Sequence, residues 1–415
     1  MTAQFWRIKL SLFLNYFVFA ILLNSVGTVI LQVQNNYGVS KMAASTLEPF
    51  KDLSIAIVSF LVASYFARIG YKRAMLLALA FVTAACLLMP SIGGFGMTKV
   101  LFATVGASFA LIKISVYSTI GIITNDKHEH ASLMSFIESF FMVGVLTGPF
   151  IFTAFVDDAH PESTAWLSTY YILAAISGLA FLLLWSTPLD ESSIKSEPEK
   201  PLSKDIYEML ELVVKTLVLV FVVSAFFYVL IEQSIMSWLP TYNNQVLKLP
   251  TTLSIQMGGI LAFSIALGRF LAGIALRKLS WFPVLAGCLL AASALVLFAI
   301  PLATGVDGSQ ATGWAEAPFA AFVFPLIGLF LAPIYPTINS AVLSAMPARM
   351  HGPMTGLIVI FSALGGSTGS LLTAFIFDKF GGQTAFYFSL LPIAILAISL
   401  FIFNKLQKKA LANAA

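Results

Sequence analysis

Charge, cysteine and histidine are all scarce in this sequence, and each shortage excludes a class of protein. Only 10% of the 415 residues are charged, against roughly 25% in a typical soluble domain, which is too little polar surface for a soluble enzyme. The two cysteines and four histidines show neither a disulfide framework nor the spacing of a metal site. A net charge of +4 is too small to indicate a nucleic-acid partner. We therefore expect no metal, no cofactor and no nucleic acid.

Hydrophobic residues, in contrast, make up 59% of the chain and form runs long enough to cross a bilayer, which takes about 20 apolar residues. Six runs precede the polar stretch at 190–205 and six follow it. They lie at 8–33, 43–67, 74–92, 98–124, 131–156, 165–187, 212–240, 251–276, 281–303, 317–344, 352–376 and 383–404. The pattern predicts an all-α membrane protein with twelve transmembrane helices in two six-helix halves, residues 1–189 and 211–415, joined by a cytoplasmic linker at 190–210.

The lysines and arginines indicate which ends of the runs face the cytoplasm, because cytoplasmic loops carry an excess of basic residues. With the N-terminus inside, fifteen of them fall on the cytoplasmic side. Four fall outside, namely Lys41, Lys99, Lys248 and Lys379. We therefore predict a multi-pass protein of the bacterial inner membrane, with both termini in the cytoplasm.

Two cytoplasmic loops carry a motif that supports the division into halves. Residues 63–73 resemble the G-x-x-x-D-x-x-G-R-x-K/R loop of the major facilitator superfamily, with Ala63 and Ala67 in place of its first glycine and its aspartate. Residues 273–280 repeat part of this motif in the second half. The resemblance implies two homologous halves that expose a central cavity to either side in turn, and a working monomer. An ordinary basic cytoplasmic loop explains residues 63–73 equally well.

Shorter motifs resemble one branch of that superfamily, the fucose/proton symporters and their TsgA-like relatives. The matching segments are 31–37 (LQVQNNY), 138–141 (ESFF), 227–232 (FYVLIE), 237–242 (SWLPTY) and 335–338 (YPTI). In the sugar symporters, an aspartate of the first span and a glutamate of the fourth serve proton coupling and sugar binding. Here Gly27 and Lys113 stand at those positions, and an acid is kept only in the seventh span, as Glu232. The fucose chemistry therefore does not carry over.

Charged residues inside the runs are the strongest functional candidates, because each is costly in a bilayer unless it is paired or hydrated. A cationic cavity favours an anion, so we expect Lys113 to bind the anionic group of a solute; a buried pair with Glu138 is the alternative. Glu232 and Glu138 are the expected proton carriers, or else structural partners of Lys113 and Arg269. Further substrate-binding candidates are Asn24, Gln32, Tyr117, Tyr228, Gln233, Trp238, Tyr335 and Asn339.

Two further groups of charges are candidates for gating or ion pairs. Glu48, Lys51 and Asp52 can cluster on one helix face, because residues three and four positions apart are neighbours there. A local salt bridge explains them as well as an outer gate or a substrate contact does. Arg269 and Arg68 belong toward the cytoplasmic side, where we expect ion pairs or gating.

Together these features predict a secondary active transporter, not an enzyme, for a small polar solute, either neutral or anionic, such as a sugar, sugar acid or organic acid. Proton symport is the expected coupling, with sodium open as the ion, and no ATP-binding G-x-x-x-x-G-K-S/T sequence occurs. One alternative is a proton-coupled exporter of a drug, siderophore or metabolite, supported by the glycine–proline element at 144–149, although that element also suits plain helix packing. Another is a membrane receptor or lipid-handling protein.

Overall fold

The computed structural model describes residues 3–63, 69–124, 127–189, 191, 207, 209, 211–344 and 350–414. Helices make up most of this part of the chain, and it contains no β-strand. The predicted all-α fold class is thereby confirmed. The apolar composition explains it, because a backbone in lipid must satisfy its own hydrogen bonds, and a helix does so within one segment.

The helices are labelled in chain order. The first eight are α1 (Ala3–Asn24), α2 (Val26–Tyr37), α3 (Lys41–Ser45), α4 (Leu47–Ala63), α5 (Tyr71–Ile92), α6 (Gly94–Ile123), α7 (Lys127–Thr153) and α8 (Thr169–Trp185). The next eight are α9 (Thr216–Gln245), α10 (Thr251–Ala275), α11 (Trp281–Ala303), α12 (Ala320–Leu331), α13 (Ile334–Ser344), α14 (His351–Phe380), α15 (Gly382–Tyr387) and α16 (Leu390–Ala414).

The chain divides into two compact units. One contains Met1–Val39 with Leu47–Leu202, and the other contains Ser40–Thr46 with Ser203–Ala415. Helix α3 therefore belongs with the second unit, although it precedes α4 in the chain. The linker predicted at 190–210 is described only at residues 191, 207 and 209, so its boundaries and those of the two predicted halves stay predictions.

Eleven segments of the described chain are long and apolar enough to cross a membrane. The second predicted run, 43–67, supplies the remaining helix in the form of α4, which has 17 residues and is followed by residues outside the described part. The helices make the chain a multi-pass membrane protein.

The run predicted at 8–33 contains two helices rather than one. They are divided at Ser25, whose hydroxyl donates a 2.8 Å hydrogen bond to the carbonyl of Leu22. The neighbouring Asn24 amide donates to the carbonyl of Ala20, also at 2.8 Å. Side chains bonded to backbone carbonyls in this way offer the chain an alternative to helical hydrogen bonds, which explains the interruption.

The run predicted at 317–344 is also divided, at residues 332–333. The proline of the YPTI motif, Pro336, lies within α13. The interruption comes earlier because neither Pro333 nor Pro336 has an amide N–H to bond the carbonyl four residues before it. The carbonyls affected are that of Leu329, near the end of α12, and that of Ala332, in the break itself.

Close packing within each unit positions the candidate residues. In the first unit α1 packs against α7, and α4 packs against α6; in the second unit α9 packs against α14 and α10 against α12. At Gly144 of α7 a Cβ would lie 2.6 Å from the carbonyl oxygen of Phe17 and 2.7 Å from the Cβ of Ala20. Only glycine allows this approach of α7 to α1, so the 144–149 element has a packing role.

The start of α5 is capped by a residue that follows α8. Glu191 Oε1 accepts a 2.6 Å hydrogen bond from the backbone N–H of Lys72, where a carboxylate is favoured by the exposed amides of a helix N-terminus. The Lys72 ammonium in turn donates to the carbonyl of Thr187 at 2.7 Å. These bonds tie the end of α8 to the start of α5.

Candidate functional site

A first group of polar residues lies in the first unit, where α1, α6 and α7 meet. We call it the Glu138 cluster, and it consists of Tyr16, Lys113, Tyr117 and Glu138. The Tyr117 hydroxyl donates a 2.6 Å hydrogen bond to Glu138 Oε1. The ring of Tyr16 lies beside this pair, with its centre 6.2 Å from that of Tyr117. The Tyr16 ring also packs near the rings of Phe109 and Phe141, with centres 6.5 and 5.9 Å away, and Glu138 itself is exposed.

Lys113 contributes the positive charge of the Glu138 cluster. Its side chain is exposed, although the residue lies well inside α6. Among the described residues no carboxylate oxygen lies within 4.0 Å of its ammonium, and Glu138 acts on it through space. The buried Lys113–Glu138 pair considered as an alternative is therefore not formed as a direct contact.

A second group lies in the second unit, on α9, α10, α13 and α14. We call it the Glu232 cluster, and it consists of Tyr228, Glu232, Arg269, Tyr335 and Ser362. The Tyr228 hydroxyl donates a 2.7 Å hydrogen bond to Glu232 Oε1, one turn along the same helix. The rings of Tyr228 and Tyr335 stack with their centres 5.5 Å apart, and the Tyr335 hydroxyl lies 2.9 Å from Ser362 Oγ.

Arg269 joins the Glu232 cluster to an open cleft. Its charge acts on Tyr228, and its exposed side chain lines a cleft of about 650 Å³ between α10, α11 and α13. Hydroxyl groups also line this cleft, including those of Ser280, Thr337 and Ser340. The combination of a guanidinium with hydroxyl donors suits an anionic group.

Glu48, Lys51 and Asp52 form a compact ionic triad in the first unit. The Lys51 ammonium lies 2.5 Å from Glu48 Oε1 and 3.4 Å from Asp52 Oδ1. All three residues are buried, with 0%, 4% and 8% of their surface exposed, in chain order. The expected clustering on one helix face is present, and all three side chains are buried inside the unit.

The remaining candidates are dispersed. Asn24 is exposed next to the break between α1 and α2, whereas Gln32 is buried on α2 and its amide nitrogen has no hydrogen-bond partner among the described residues. Gln233 is half-buried and accepts a long 3.5 Å contact from a serine hydroxyl. Asn339 is half-buried on α13, one turn after Tyr335. Arg68 lies outside the described residues.

Trp238, one of the expected substrate-binding residues, packs inside its own unit. It is completely buried, and its indole N–H donates to the carbonyl and to the hydroxyl of Ser370, at 3.1 and 3.2 Å. Its ring also packs against Phe377 of α14. A tryptophan satisfied in this way fastens α9 to α14, which is a structural role.

Two residues of the clusters were not singled out from the sequence. Tyr16 is a buried phenol in the apolar run of α1, and Ser362 is one of many serines in apolar runs. A tyrosine beside Asn15 in a membrane helix was the available signal for the first. Nothing in the sequence distinguishes Ser362, because its partner Tyr335 is 27 residues away.

Comparison with known protein families identifies the kind of protein that contains these clusters. The model of the Major Facilitator Superfamily matches residues 10–370. The chain belongs to the Major Facilitator Superfamily. This confirms the family that the loop motifs predicted, and it makes the protein a membrane transporter. No curated protein sequence matches the chain.

Solved structures of Major Facilitator Superfamily transporters share the fold. A bacterial homolog of the human lysosomal transporter Spinster, inward-facing and occupied, matches 98% of each chain with a TM-score of 0.75 and 15% identity. The D-xylose–proton symporter matches 96% of this chain and 97% of its own, with a TM-score of 0.69 and 13% identity. The E. coli fucose:proton symporter matches 95% and 98%, with a TM-score of 0.60 and 16% identity. The TsgA-like relationship stays a prediction.

Proposed function

We propose that this transporter carries a small anionic solute, such as a sugar acid or organic acid, by proton-coupled symport across the bacterial inner membrane. It works as a monomer that exposes its binding site to one side of the membrane and then to the other. Both termini lie in the cytoplasm. The solute's anionic group binds to Lys113, and Glu138 or Glu232 carries the proton. Proton symporters of fucose and xylose among the similar structures support this coupling.

The state of Lys113 is the observation that carries the proposal. A lysine well inside a membrane helix must face lipid or water, and facing lipid costs several kcal/mol, about 3 or more. Lys113 is exposed and has no carboxylate within 4.0 Å among the described residues. An ammonium in this position is available to a carboxylate or phosphate of the solute.

The two tyrosine–glutamate pairs support proton coupling. A hydroxyl that donates to a carboxylate holds it in one place and offers a route for a proton. Tyr117 does so for Glu138, and Tyr228 does so for Glu232. Glu138 shares its cluster with Lys113, so a bound anion and a bound proton influence each other there, which is what symport requires.

The first test is thermal stabilisation of the purified protein by a panel of solutes. A ligand at one hundred times its Kd adds about 2.7 kcal/mol to stability, so even weak binders raise the melting temperature. We expect sugar acids, organic acids or phosphorylated solutes to stabilise the protein and neutral sugars to do so less. Lys113→Ala should abolish the shift caused by the anions, and Lys113→Arg should keep part of it.

Lys99→Ala is the matched control, because Lys99 lies on the same helix but contacts the ring of Phe95. It should leave the anion shift unchanged. Stabilisation by neutral sugars alone, with no effect of Lys113→Ala, would contradict the proposal and favour the neutral-sugar chemistry of the similar symporters.

Everted membrane vesicles then separate symport from export and from mere binding. An exporter that exchanges its substrate for protons accumulates the stabilising solute in vesicles with an acid lumen. A symporter instead releases solute loaded inside such vesicles. A receptor or lipid-handling protein shows neither flux, and replacing sodium in the buffer decides the coupling ion.

A further inference from the structure

The cleft of about 650 Å³ between α10, α11 and α13 is a cavity that the proposed solute chemistry does not use. Helix α12 packs against both α10 and α11, and it ends at Leu331, before the break at 332–333. Pro333 in that break and Pro336 in α13 both line the cleft. The cleft therefore begins at the level where α12 ends between its two neighbours.

The lining of the cleft is mostly apolar and carries one positive charge. Alanine, leucine, proline and glycine residues make up the apolar part. Arg269 is the one charged residue among the described residues that line it, and the hydroxyl groups of Ser280, Thr337 and Ser340 belong to the polar part. Since a guanidinium has five N–H donors, Arg269 can serve the Glu232 cluster and a ligand in the cleft together.

The two ends of the cleft lie at different depths along the membrane-spanning helices. Arg277 and Lys278 are exposed in the turn after α10, and Trp281, at the start of α11, lines the cleft. Tryptophan and basic residues are typical of the interface between membrane and water. Arg269 lies about two helical turns earlier on α10. The cleft therefore runs from the interface into the membrane-spanning part of the unit, as a bound lipid does.

Hydrogen bonds from α16 hold the interfacial end of the cleft. The indole N–H of Trp281 donates to Gln407 Oε1 at 3.1 Å. The Gln407 amide in turn donates to the carbonyl of Ala341, also at 3.1 Å. Trp281 and Ala341 both line the cleft. Gln407 therefore fixes the start of α11 against the end of α13, and the cleft is a preformed site of the kind that binds ligands.

The surface of α10 beside the cleft is apolar and exposed. Phe270, Leu271 and Ile274 each expose a large apolar side chain, and they neighbour the lining residues Arg269 and Gly273 in the chain. A large exposed apolar surface marks a region of contact with membrane or partner, and on a membrane-spanning helix it contacts acyl chains. The cleft is therefore next to lipid.

We propose that this cleft binds the headgroup of an anionic phospholipid of the membrane. The phosphate binds at Arg269, and the first part of the acyl chains follows the apolar lining. Basic pockets between membrane helices on the cytoplasmic side suit anionic headgroups, and the predicted topology places this end of α10 on that side. The binding of lipid does not rest on the proposed solute transport.

Size and charge favour an anionic lipid over the other occupants. The volume of the cleft lies in the range of about 300–1,000 Å³ that is usual for ligand sites, which is more than a free phosphate fills. Arg277 and Lys278 in the turn beside the cleft disfavour a zwitterionic headgroup, because its cationic end would meet like charges. Since the charge of Arg269 acts on Tyr228, an occupied cleft also changes the electrostatic environment of the Glu232 cluster.

Native mass spectrometry of the full chain, delipidated in detergent, measures the binding of single phospholipid molecules. We expect dioleoyl phosphatidylglycerol to bind more tightly than dioleoyl phosphatidylcholine, which has the same acyl chains. Arg269→Gln should weaken the phosphatidylglycerol complex about tenfold, the effect of losing a charged hydrogen-bond donor. Gly273→Phe should weaken it as well, because Gly273 lines the cleft and a side chain there enters open space.

Lys405→Gln is the matched control. Lys405 is an exposed cation of the same unit that lies over the ring of Phe401, and it is not among the residues that line the cleft. Its loss should change the affinity less than about twofold. Equal affinity for the two lipids, or an equal loss in Lys405→Gln and Arg269→Gln, would overturn the proposal.

Glycerol 1-phosphate distinguishes a lipid from a soluble phosphate as the ligand. If it displaces phosphatidylglycerol from the protein, the site is one for soluble phosphates and the proposal is wrong. If Arg269→Gln does not fold, unchanged affinity in Gly273→Phe overturns the proposal by itself. The solute panel depends on Lys113, which takes no part in this test, so the two proposals fail separately.

Discussion

Each unit contains a tyrosine hydroxyl that donates a hydrogen bond to a glutamate of a membrane-spanning helix. Tyr117 reaches Glu138 on the neighbouring helix, and Glu138 is exposed. Tyr228 reaches Glu232 on its own helix, and Tyr228 is 1% exposed. Water replaces a lost hydrogen bond more easily at the exposed Glu138 than at the half-buried Glu232, so the two pairs should differ in what they contribute to stability.

We therefore expect Tyr228→Phe to destabilise the protein by about 1.5–3 kcal/mol, because the half-buried Glu232 carboxylate loses the donor that the buried Tyr228 supplies. Tyr117→Phe should cost less than about 1 kcal/mol, since water replaces the lost donor at Glu138. Thermal unfolding in detergent measures both. Tyr171→Phe, at an exposed tyrosine of α8, is the control and should have no effect. Equal losses in the first two variants would contradict this assignment.

At the scale of the helices, interruptions lie close to candidate residues. The break at Ser25 follows Asn24 and lies near the contact of Lys51 with α1. The break at 332–333 precedes Tyr335 of the Glu232 cluster. A free carbonyl at membrane depth is acceptable only where a side chain or water can bond it, so such breaks belong beside polar groups.

Close packing of α10 against α12 gives a prediction at the same scale. A Cβ added at Gly268 would collide with the backbone of Leu329, whereas nothing lies within 4 Å of one added at Gly273, five residues further along α10. We expect Gly268→Ala to destabilise the protein by about 1–3 kcal/mol, because the backbone of α12 would have to move. Gly273→Ala should be neutral or slightly stabilising, since alanine favours helix. Melting temperatures of the two variants check this, and a similar loss in both would contradict it.

At the scale of the whole molecule, the distribution of basic residues predicts the orientation in the membrane. In a variant with Cys86→Ala and Cys288→Ala, we expect Ser309→Cys to react with a membrane-impermeant maleimide in spheroplasts. Lys408→Cys should react only after permeabilisation. The C-terminal end carries an excess of basic residues, which predicts that it faces the cytoplasm. Both positions are exposed. The opposite labelling pattern would reverse the predicted topology.

Composition and run length were sufficient for the all-α class, and the loop motifs indicated the superfamily. A bilayer imposes one length and one polarity on every span, so these properties can be counted along the chain. The same counting predicted one helix for each of the runs 8–33 and 317–344, where the structure has two. The reason is that the apolar composition continues through Ser25 and through Pro333. Interruptions depend on individual backbone hydrogen bonds, which mean hydropathy does not represent.

The chain's sequence by itself determined a multi-pass helical transporter and identified most of its intramembrane charges as candidates. Tertiary structure decided which of them meet. Glu138 finds Tyr117 on another helix, 21 residues away, and Trp238 is withdrawn into the core of its unit. The physical reason is that apolar residues cover every face of a membrane helix, so periodicity does not distinguish the face toward a neighbouring helix from the face toward lipid. Only packing assigns each polar side chain its partner.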